Sequence, residues 1–265
     1  MEKKILVFGC DRKMLSCQKR LCELGFDAFC CTSDNFENIQ NTSTVVLPLP
    51  TVANECISGV PFESFCSLLS EKHTVFCGNI SADTFPCRAY SYYYDEGFLI
   101  KNSRLTAQGT LKVILENTEA DLHSVKAAVI GYGRCGREIC RNLKNNGADV
   151  TSFSRRSQSF AAAENDCMHS ESIKRLNEKL GDFDITVNTV PCNIIDKKGL
   201  ERLTDRNLYV EVASRPYGFN IAEADKYNFR YVLAESLPGR FTPVSAGINI
   251  ADTVADLIKE SEIYE

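Results

Sequence analysis

Residues 126–156, which read KAAVIGYGRCGREICRNLKNNGADVTSFSRR, decide the fold. An apolar strand leads into a glycine-rich turn, the turn opens a helix, and a second strand follows, which is the setting that a dinucleotide-binding G-x-G-x-x-G requires. Gly131 permits the tight turn, Gly133 lets the backbone approach a pyrophosphate, and Gly136 lets the helix pack close to the strand. The helix N-terminus then presents N–H groups to the phosphates. The stretch therefore predicts a Rossmann-like nucleotide-binding unit.

The end of the second strand distinguishes between two nucleotides. NAD sites usually carry an acidic residue there, which binds the ribose hydroxyls, whereas this strand ends at Ser154, Arg155 and Arg156. A guanidinium binds a 2′-phosphate through parallel charge-assisted hydrogen bonds, and a carboxylate would repel it. The alternative is that both arginines are ordinary solvated surface charges. We expect this of one of them in either case. The pattern favours NADP over NAD.

Composition and charge narrow the class of protein. The chain has 265 residues, of which 44% are hydrophobic and 25% charged, as expected for one large or two small globular domains. Its net charge of −5 argues against a nucleic-acid or anionic-membrane surface. No apolar run is long enough to span a bilayer, and the start, Met1–Lys4, leads into a strand without a signal segment. We expect a cytoplasmic protein.

The thirteen cysteines do not form a recognisable metal or disulfide pattern. Their number is odd, no C-x-x-C occurs, and several lie inside apolar runs, where a free thiol acts as a small hydrophobic group. The three histidines are scattered without the spacing of metal ligands. We therefore expect reduced thiols and no metal.

The first part of the chain alternates strands and helices. Asp11 is placed to cap a first helix, and a second helix is predicted at 62–69. The predicted strands are 4–9, 27–31, 44–47, 74–77 and 89–93. This alternation predicts a parallel sheet covered on both faces.

The second part repeats this rhythm after a turn and a helix at 102–117. Strands are predicted at 185–187, 208–212 and 231–234, and a last amphipathic helix at 245–260. The predicted fold is therefore α/β, with two Rossmann-like parallel-sheet domains flanking a cleft and joined by a bridging helix. We expect a first domain at 1–104, a nucleotide domain at 105–240, and a C-terminal helix at 241–265 that packs back toward the first domain.

Ligands of open α/β sheets bind beyond the carboxyl ends of the strands. The segment Thr189–Pro191 follows the strand expected beside the glycine-loop strand, so a role along the nucleotide is favoured over a plain turn. The predicted cofactor-binding residues are Gly131, Tyr132, Gly133, Arg134, Cys135, Gly136, Ser154, Arg155, Arg156, Thr189, Val190, Pro191, Ala213 and Ser214.

Six motifs, taken together and in order, resemble one family. They are Gly9–Arg12, Asn102–Thr110, the glycine loop at 131–136, Asn188–Pro191, Ala213–Pro216, and Leu237–Gly239 with Pro243–Gly247. This combination, which covers nearly the whole chain, resembles the first of the two subunits of dipicolinate synthase. The chain departs from that pattern at Val244, at Gln108 and at Glu235–Ser236, where lysine, glutamate and Pro-Gly are common.

The resemblance implies an NADP-dependent enzyme of spore-forming bacteria, located in the mother-cell cytoplasm. It implies oxidation of 4-hydroxy-tetrahydrodipicolinate to pyridine-2,6-dicarboxylate, together with the smaller, flavoprotein-like second subunit of dipicolinate synthase. We expect a homo-oligomer that binds neither nucleic acid nor membrane. Such a substrate carries two carboxylates, which require guanidinium, hydroxyl or N–H partners.

Several residues are predicted to meet this substrate, each with an alternative role. Arg12, Arg215 and Gly239 are the predicted substrate-binding residues, although Arg12 is equally explained as a solvated surface charge. Asn102, Ser103, Thr106 and Arg215 are the predicted catalytic set, although Ser103 is equally explained as a helix cap. Asp11 and Glu235 also lie near strand ends, but a capping or surface role explains each of them at least as well as the role of general base. No general base is therefore identified.

Two other classes of function compete with this interpretation. A dehydrogenase of the shikimate type needs a lysine–aspartate pair in its first domain, and no matching segment is found. A 2-hydroxyacid dehydrogenase needs a late histidine, and none follows His169. A non-catalytic NADP-binding regulator is the alternative from a different class, and the departures at Val244 and Gln108 keep it open.

Overall fold

The structure is a computed structural model that describes residues 4 to 263. The chain divides into two compact units. The first comprises the residues up to Asn102 together with those from Phe241 onward, and the second comprises Ser103–Arg240. Met1 to Lys3, just before the predicted first strand, and Tyr264 and Glu265, at the end of the predicted C-terminal segment, lie outside the described residues. No helix in the described part of the chain is long and apolar enough to cross a membrane.

The first unit is built on a parallel sheet with the strand order β2-β1-β3-β6-β7. These strands are β1 (Lys4–Phe8), β2 (Asp27–Cys31), β3 (Thr44–Val46), β6 (Thr74–Cys77) and β7 (Arg88–Ser91). A separate antiparallel pair, β4 (Cys56–Ile57) and β5 (Val60–Pro61), lies between β3 and β6 in the sequence. Alternate residues of β1 enter two different core clusters, so this strand is buried on both faces as predicted.

Three α-helices belong to the first unit: α1 (Arg12–Glu23), α2 (Phe62–Cys66) and α10 (Pro243–Ile263). Asp11 caps α1 as predicted, since its carboxylate accepts a hydrogen bond from the Met14 amide at 2.8 Å. The helix α10 packs against α1 at very close range, because a Cβ atom on Gly247 would stand 2.1 Å from the Lys13 carbonyl oxygen. The ion pair between Arg20 and Asp252, at 2.8 Å, joins the same two helices.

The second unit is built on a six-stranded parallel sheet with the order β10-β9-β8-β11-β12-β13. Its strands are β8 (Lys126–Ile130), β9 (Asp149–Ser154), β10 (His169–Ser172), β11 (Ile185–Asn188), β12 (Leu208–Glu211) and β13 (Arg230–Leu233). The helices are α3 (Glu96–Asn117), α4 (Arg134–Asn145), α5 (Ser157–Asn165), α6 (Leu176–Lys179), α7 (Lys197–Leu200), α8 (Ile221–Ala224) and α9 (Leu237–Phe241). The boundary between the units falls inside α3.

Two parallel sheets confirm the predicted α/β class with two Rossmann-like units, and strands β2 and β6 have the predicted bounds. The predicted turn at Asn102 is wrong, because α3 already begins at Glu96. The Asp95 carboxylate accepts from the Phe98 amide at 2.7 Å, so Asp95 takes the role of cap. Ser103 lies inside the helix, 2% exposed, and does not cap it.

The other differences concern the ends of elements. The predicted helix at 62–69 ends at Cys66, and the strand predicted at 89–93 is β7, which ends at Ser91 before a 3₁₀ turn at Tyr92–Tyr94. The edge strand β10 was not predicted, because its sequence His-Ser-Glu-Ser has no apolar alternation and it forms only by pairing with β9.

Candidate nucleotide-binding site

The glycine loop follows β8 at the carboxyl edge of the second sheet. Gly131 has a φ of +94°, in the left-handed region that glycine adopts without strain. Its amide donates to the Phe153 carbonyl oxygen at 2.8 Å and so ties the loop to β9. A Cβ atom on Gly131 would stand 2.6 Å from Thr189 Oγ1 and 2.9 Å from Val190 Cγ2, so this turn also touches the segment after β11.

The other two glycines have different surroundings. A Cβ atom on Gly136, in the first turn of α4, would stand 2.0 Å from the Gly131 carbonyl oxygen, so the helix packs directly onto the loop. A Cβ atom on Gly133, the residue before α4, would meet no protein atom within 4 Å. No side chain caps α4 at this residue. The space beside Gly133, at the positive end of the α4 dipole, fits a diphosphate.

The segment after β9 is basic and carries an unsatisfied hydroxyl. Ser154 is 3% exposed, and its Oγ has no hydrogen-bond partner among the described residues. Arg155 and Arg156 are exposed, and neither guanidinium group forms an ion pair or hydrogen bond within the described part of the chain. Buried hydroxyls are normally satisfied. The two guanidinium groups are thus available to a ligand, and the Ser154 hydroxyl is buried without a partner beside them.

A charged network that the sequence pattern does not reveal holds the start of α4. Asp166, just beyond α5, accepts from Arg137 Nε and Nη2 at 2.5 and 2.7 Å and from the Tyr132 hydroxyl at 2.7 Å. Arg141 lies 3.4 Å from the same carboxylate. The paired Arg137 guanidinium holds the pKa of Asp166 well below its usual range. Tyr132, predicted to bind the cofactor, thus has a structural partner in Asp166.

The segment after β11 is fixed by Asn188. The Asn188 side chain donates to the Val190 carbonyl oxygen at 2.9 Å and accepts from the Val190 amide at 3.0 Å. The Thr189 hydroxyl donates to the Ile130 carbonyl oxygen at 2.7 Å, which joins the segment to the end of β8. The structure therefore brings Thr189 and Val190 to the glycine loop, and β11 pairs with β8 as expected.

Glu211, at the end of β12, is a buried acid that the sequence pattern does not single out. It is 0% exposed, and its carboxylate accepts from Asn188 Nδ2 at 2.8 Å. The amides of Ala213 and Gly218 donate to it at 3.1 and 2.8 Å, which fixes both ends of the loop after β12. Burial raises the pKa of this carboxyl group above its usual value, and the surrounding donors oppose the shift.

The loop after β12 carries Arg215 beside an aromatic ring. Arg215 Nε donates to the Tyr217 hydroxyl at 3.2 Å, and the guanidinium carbon lies 5.4 Å from the centre of that ring. The Tyr217 hydroxyl in turn donates to the Glu235 carboxylate, which follows β13. Arg215 and Glu235, predicted from separate strand ends, are therefore joined through Tyr217.

The remaining predicted residues lie on helices. Arg12 is the exposed first residue of α1, and Gly239 lies inside the short helix α9 rather than in a loop. Asn102, Ser103 and Thr106 lie in the middle of α3, and the Thr106 side chain hydrogen-bonds the Cys135 thiol of the glycine loop.

A buried lysine also gives no signal in the sequence. Lys13 is 9% exposed and donates to the Leu49 carbonyl oxygen, and burial lowers its pKa. A separate cavity of about 610 Å³ lies at the opposite end of the second sheet, around Val125, Asp184 and Arg230, and so is not part of the nucleotide site.

Fold and site together define a two-unit α/β protein whose second unit has the architecture of a nicotinamide-nucleotide-binding domain. Residues 121–225 match the family described as acetohydroxy acid isomeroreductase, NADPH-binding domain. The match begins just before β8 and ends beyond α8, so it includes the glycine loop, Arg155 and Arg156, and Glu211. These findings support an oxidoreductase that uses a nicotinamide cofactor.

The predicted resemblance to the first subunit of dipicolinate synthase is confirmed. The chain is 27% identical to that protein of Bacillus subtilis strain 168 over 292 residues, covering 99% of this chain and 98% of that protein. The crystal structure of the Bacillus subtilis protein superimposes with a TM-score of 0.86 at 24% identity, covering 100% and 98% of the two chains. The corresponding protein of Bacillus halodurans gives 0.85 at 22% identity, covering 96% and 97%.

Replacing Asp166 with asparagine should destabilise the chain in a pH-dependent way. The pKa of Asp166 is lower in the folded chain than in the unfolded chain. Its stabilisation is therefore present above the unfolded pKa of about 3.9 and is lost as the pH falls through the folded value. We expect Asp166→Asn to cost about 2 kcal/mol at neutral pH and less at about pH 3.5, measured by urea unfolding. An equal cost at both pH values would contradict this assignment.

Proposed function

We propose that the chain is an NADP-dependent oxidoreductase that acts as the first subunit of a dipicolinate synthase. It oxidises 4-hydroxy-tetrahydrodipicolinate to dipicolinate during sporulation, in the mother-cell cytoplasm and together with the second subunit of that enzyme. The observation that carries the proposal is the open position at Gly133, above the uncapped start of α4. Similarity to a dipicolinate synthase chain over 99% of this sequence suggests the substrate.

Three features favour NADP over NAD. No acidic residue follows β9, where one would bind the ribose hydroxyls of NAD. Arg155 and Arg156 are exposed at this position and supply the charge that a 2′-phosphate needs. The Ser154 hydroxyl, buried and unsatisfied among the described residues, gains a partner when the adenosine end of the nucleotide is bound.

The overall reaction balances in two stages. The hydroxylated ring first loses water, and the resulting dihydro ring then loses a hydride and a proton to become aromatic. When bound, the oxidised nicotinamide supplies the hydride acceptor, and the protein supplies position and electrostatics. The amides at the start of α4 hold the diphosphate, and the segment at Thr189–Pro191 and the residues Ala213 and Ser214 line the nucleotide.

Two carboxylates of the substrate require cationic partners, and Arg12 and Arg215 are the proposed ones, with Gly239 allowing close approach of the backbone. Asn102, Ser103 and Thr106 are proposed to meet the substrate from the middle of α3. Glu235–Ser236 stands where a Pro-Gly pair is common in the family, so a shared reaction does not depend on the Glu235 carboxylate. We therefore assign Glu235 to the orientation of Tyr217 and Arg215 rather than to proton transfer.

The decisive assay supplies the purified chain with NADP and the condensation product of aspartate semialdehyde and pyruvate. We expect NADPH to form, by absorbance at the nicotinamide wavelength, either with the chain alone or after addition of the second subunit. Parallel reactions without the aldehyde and with NAD in place of NADP are the controls. Nucleotide binding without any absorbance rise in either condition would favour the non-catalytic regulator.

Two glycine variants distinguish a position that a ligand is proposed to fill from a position where the protein packs against itself. Gly133→Ala adds a methyl group where no protein atom lies within 4 Å, so we expect unchanged thermal stability and NADP affinity lower by about tenfold or more. Gly136→Ala places a methyl group against the Gly131 carbonyl oxygen and should destabilise the chain by about 2–3 kcal/mol. Thermal melts and calorimetric titrations measure both. Unchanged NADP affinity in Gly133→Ala would show that no diphosphate approaches that residue.

The choice of nucleotide is tested at the end of β9. We expect the double variant Arg155→Ala/Arg156→Ala to lose about 2 kcal/mol of NADP binding, roughly 30-fold in affinity, because two partners of the 2′-phosphate are removed. NAD affinity should change little. A matched control is Arg202→Ala/Arg206→Ala, which removes the same charge from two other exposed arginines. Equal weakening of both nucleotides would refute phosphate recognition by these arginines.

A further inference from the structure

The carboxylate of Glu211 is surrounded by hydrogen-bond donors. Its Oε1 accepts from Asn188 Nδ2 at 2.8 Å and from the Ala213 amide at 3.1 Å. Its Oε2 accepts from the Gly218 amide at 2.8 Å and from the Tyr209 hydroxyl at 3.4 Å. The orientation of the Asn188 amide follows independently, because its Oδ1 accepts from a backbone N–H and its Nδ2 must then face Glu211.

This surrounding fits a charged carboxylate better than a neutral acid. A protonated carboxyl group needs an acceptor for its own O–H, and backbone amides and Asn188 Nδ2 offer none. Only the Tyr209 hydroxyl could turn to accept. The four donors thus stabilise the negative charge that burial alone would disfavour.

The charge of Glu211 has no cationic partner within the described part of the chain. The ion pairs found there involve other carboxylates, such as Asp166 with Arg137 and Glu171 with Lys179. Glu211 nevertheless has an exposed fraction of 0%. Leaving a buried charge unpaired costs free energy, and groups of this kind concentrate at functional sites.

Glu211 is joined to the nucleotide site by a short chain of contacts. It holds Asn188, Asn188 holds both backbone groups of Val190, and Val190 lies against Gly131 of the glycine loop. In the sheet, β12 is two strands from β8, which corresponds to about 10 Å. A charge at that distance, largely shielded from water, still acts on a ligand at the carboxyl edge.

We propose that the Glu211 carboxylate gives this site a preference for the oxidised nicotinamide nucleotide over the reduced one. The oxidised nicotinamide ring carries a positive charge and the reduced ring is neutral, while the phosphates and the adenosine are the same in both. A fixed negative charge at the carboxyl edge of the sheet therefore attracts the oxidised ring and does not attract the neutral reduced ring. This inference rests on the proposed function, and it gives the site a bias toward substrate oxidation and release of the reduced product.

Three variants separate the charge of Glu211 from its packing. Glu211→Gln keeps the shape and removes the charge, Glu211→Asp keeps the charge and shortens the side chain, and Tyr209→Phe removes one donor without changing the charge. Dissociation constants for NADP and NADPH are measured by calorimetry on each variant, after circular dichroism has verified its fold. The quantity compared is the ratio of the two constants.

We expect Glu211→Gln to shift this ratio toward NADPH by about fivefold. Glu211→Asp and Tyr209→Phe should keep the wild-type ratio even where both affinities fall. Equal losses of both nucleotides in Glu211→Gln would overturn the proposal and leave Glu211 a purely structural residue. A wild type that binds neither nucleotide would instead refute the proposed cofactor, and with it this inference.

A pH series keeps the test decisive if Glu211→Gln does not fold. The groups facing Glu211 are Asn188, the amides of Ala213 and Gly218, and Tyr209, whose pKa burial raises further above its usual value. Glu211 is thus the group in this contact set that changes charge below neutral pH. We expect the wild-type preference for NADP to decline as the pH falls below neutral, because burial raises the pKa of Glu211 above its usual value. The 2′-phosphate titrates in the same way in NADP and NADPH, so its effect cancels in the ratio of the two dissociation constants. A constant ratio would overturn the proposal.

Discussion

The close contact between Gly136 and the Gly131 carbonyl oxygen sets the geometry of the second unit's carboxyl edge. Since a Cβ atom at Gly136 would lie 2.0 Å from that oxygen, α4 starts directly against the turn that ends β8. The start of α4 is thereby fixed beside this turn, and the position at Gly133 stays open. The positive φ of Gly131 brings the same turn against Thr189 and Val190. One steric constraint therefore places both the glycine loop, which is the proposed phosphate end of the site, and the segment beside it.

Two acidic residues near this edge have opposite electrostatic surroundings. Asp166 is paired with Arg137 in a bidentate contact, and its charge anchors α4 to the chain after α5. Glu211 is more deeply buried and receives hydrogen bonds only from neutral donors. A paired charge is nearly cancelled for its surroundings, whereas a hydrogen-bonded but unpaired charge keeps its field. The paired charge of Asp166 therefore stabilises the fold, whereas the field of the Glu211 carboxylate is able to act on a ligand.

The sequence predicts the parts of this site that are local. The strand, the glycine turn and the start of α4 are read within about a dozen residues, because their geometry depends on glycine at fixed spacing. Glu211 follows three apolar residues of β12 and gives no periodic signal, and its partners Asn188 and Gly218 come from elsewhere in the chain. The start of α3 was misplaced because Asn102 and Ser103 resemble a cap, whereas packing of Phe98 against Tyr92 favours the earlier start at Asp95.

The same division between local and distant contacts explains which functional properties the sequence resemblance specifies. Glycine spacing and the end of β9 recur in many nucleotide-binding units, so they specify a cofactor class and leave the substrate open. The proposed substrate contact is made by Arg215, whose position is set by Glu211 beneath its loop and by Tyr217 and Glu235 beside it. Glu235–Ser236 stands where a Pro-Gly pair is common, and Arg215 has an aromatic ring and a carboxylate to orient it. This chain therefore retains an ordered arginine at the end of β12 by contacts of its own.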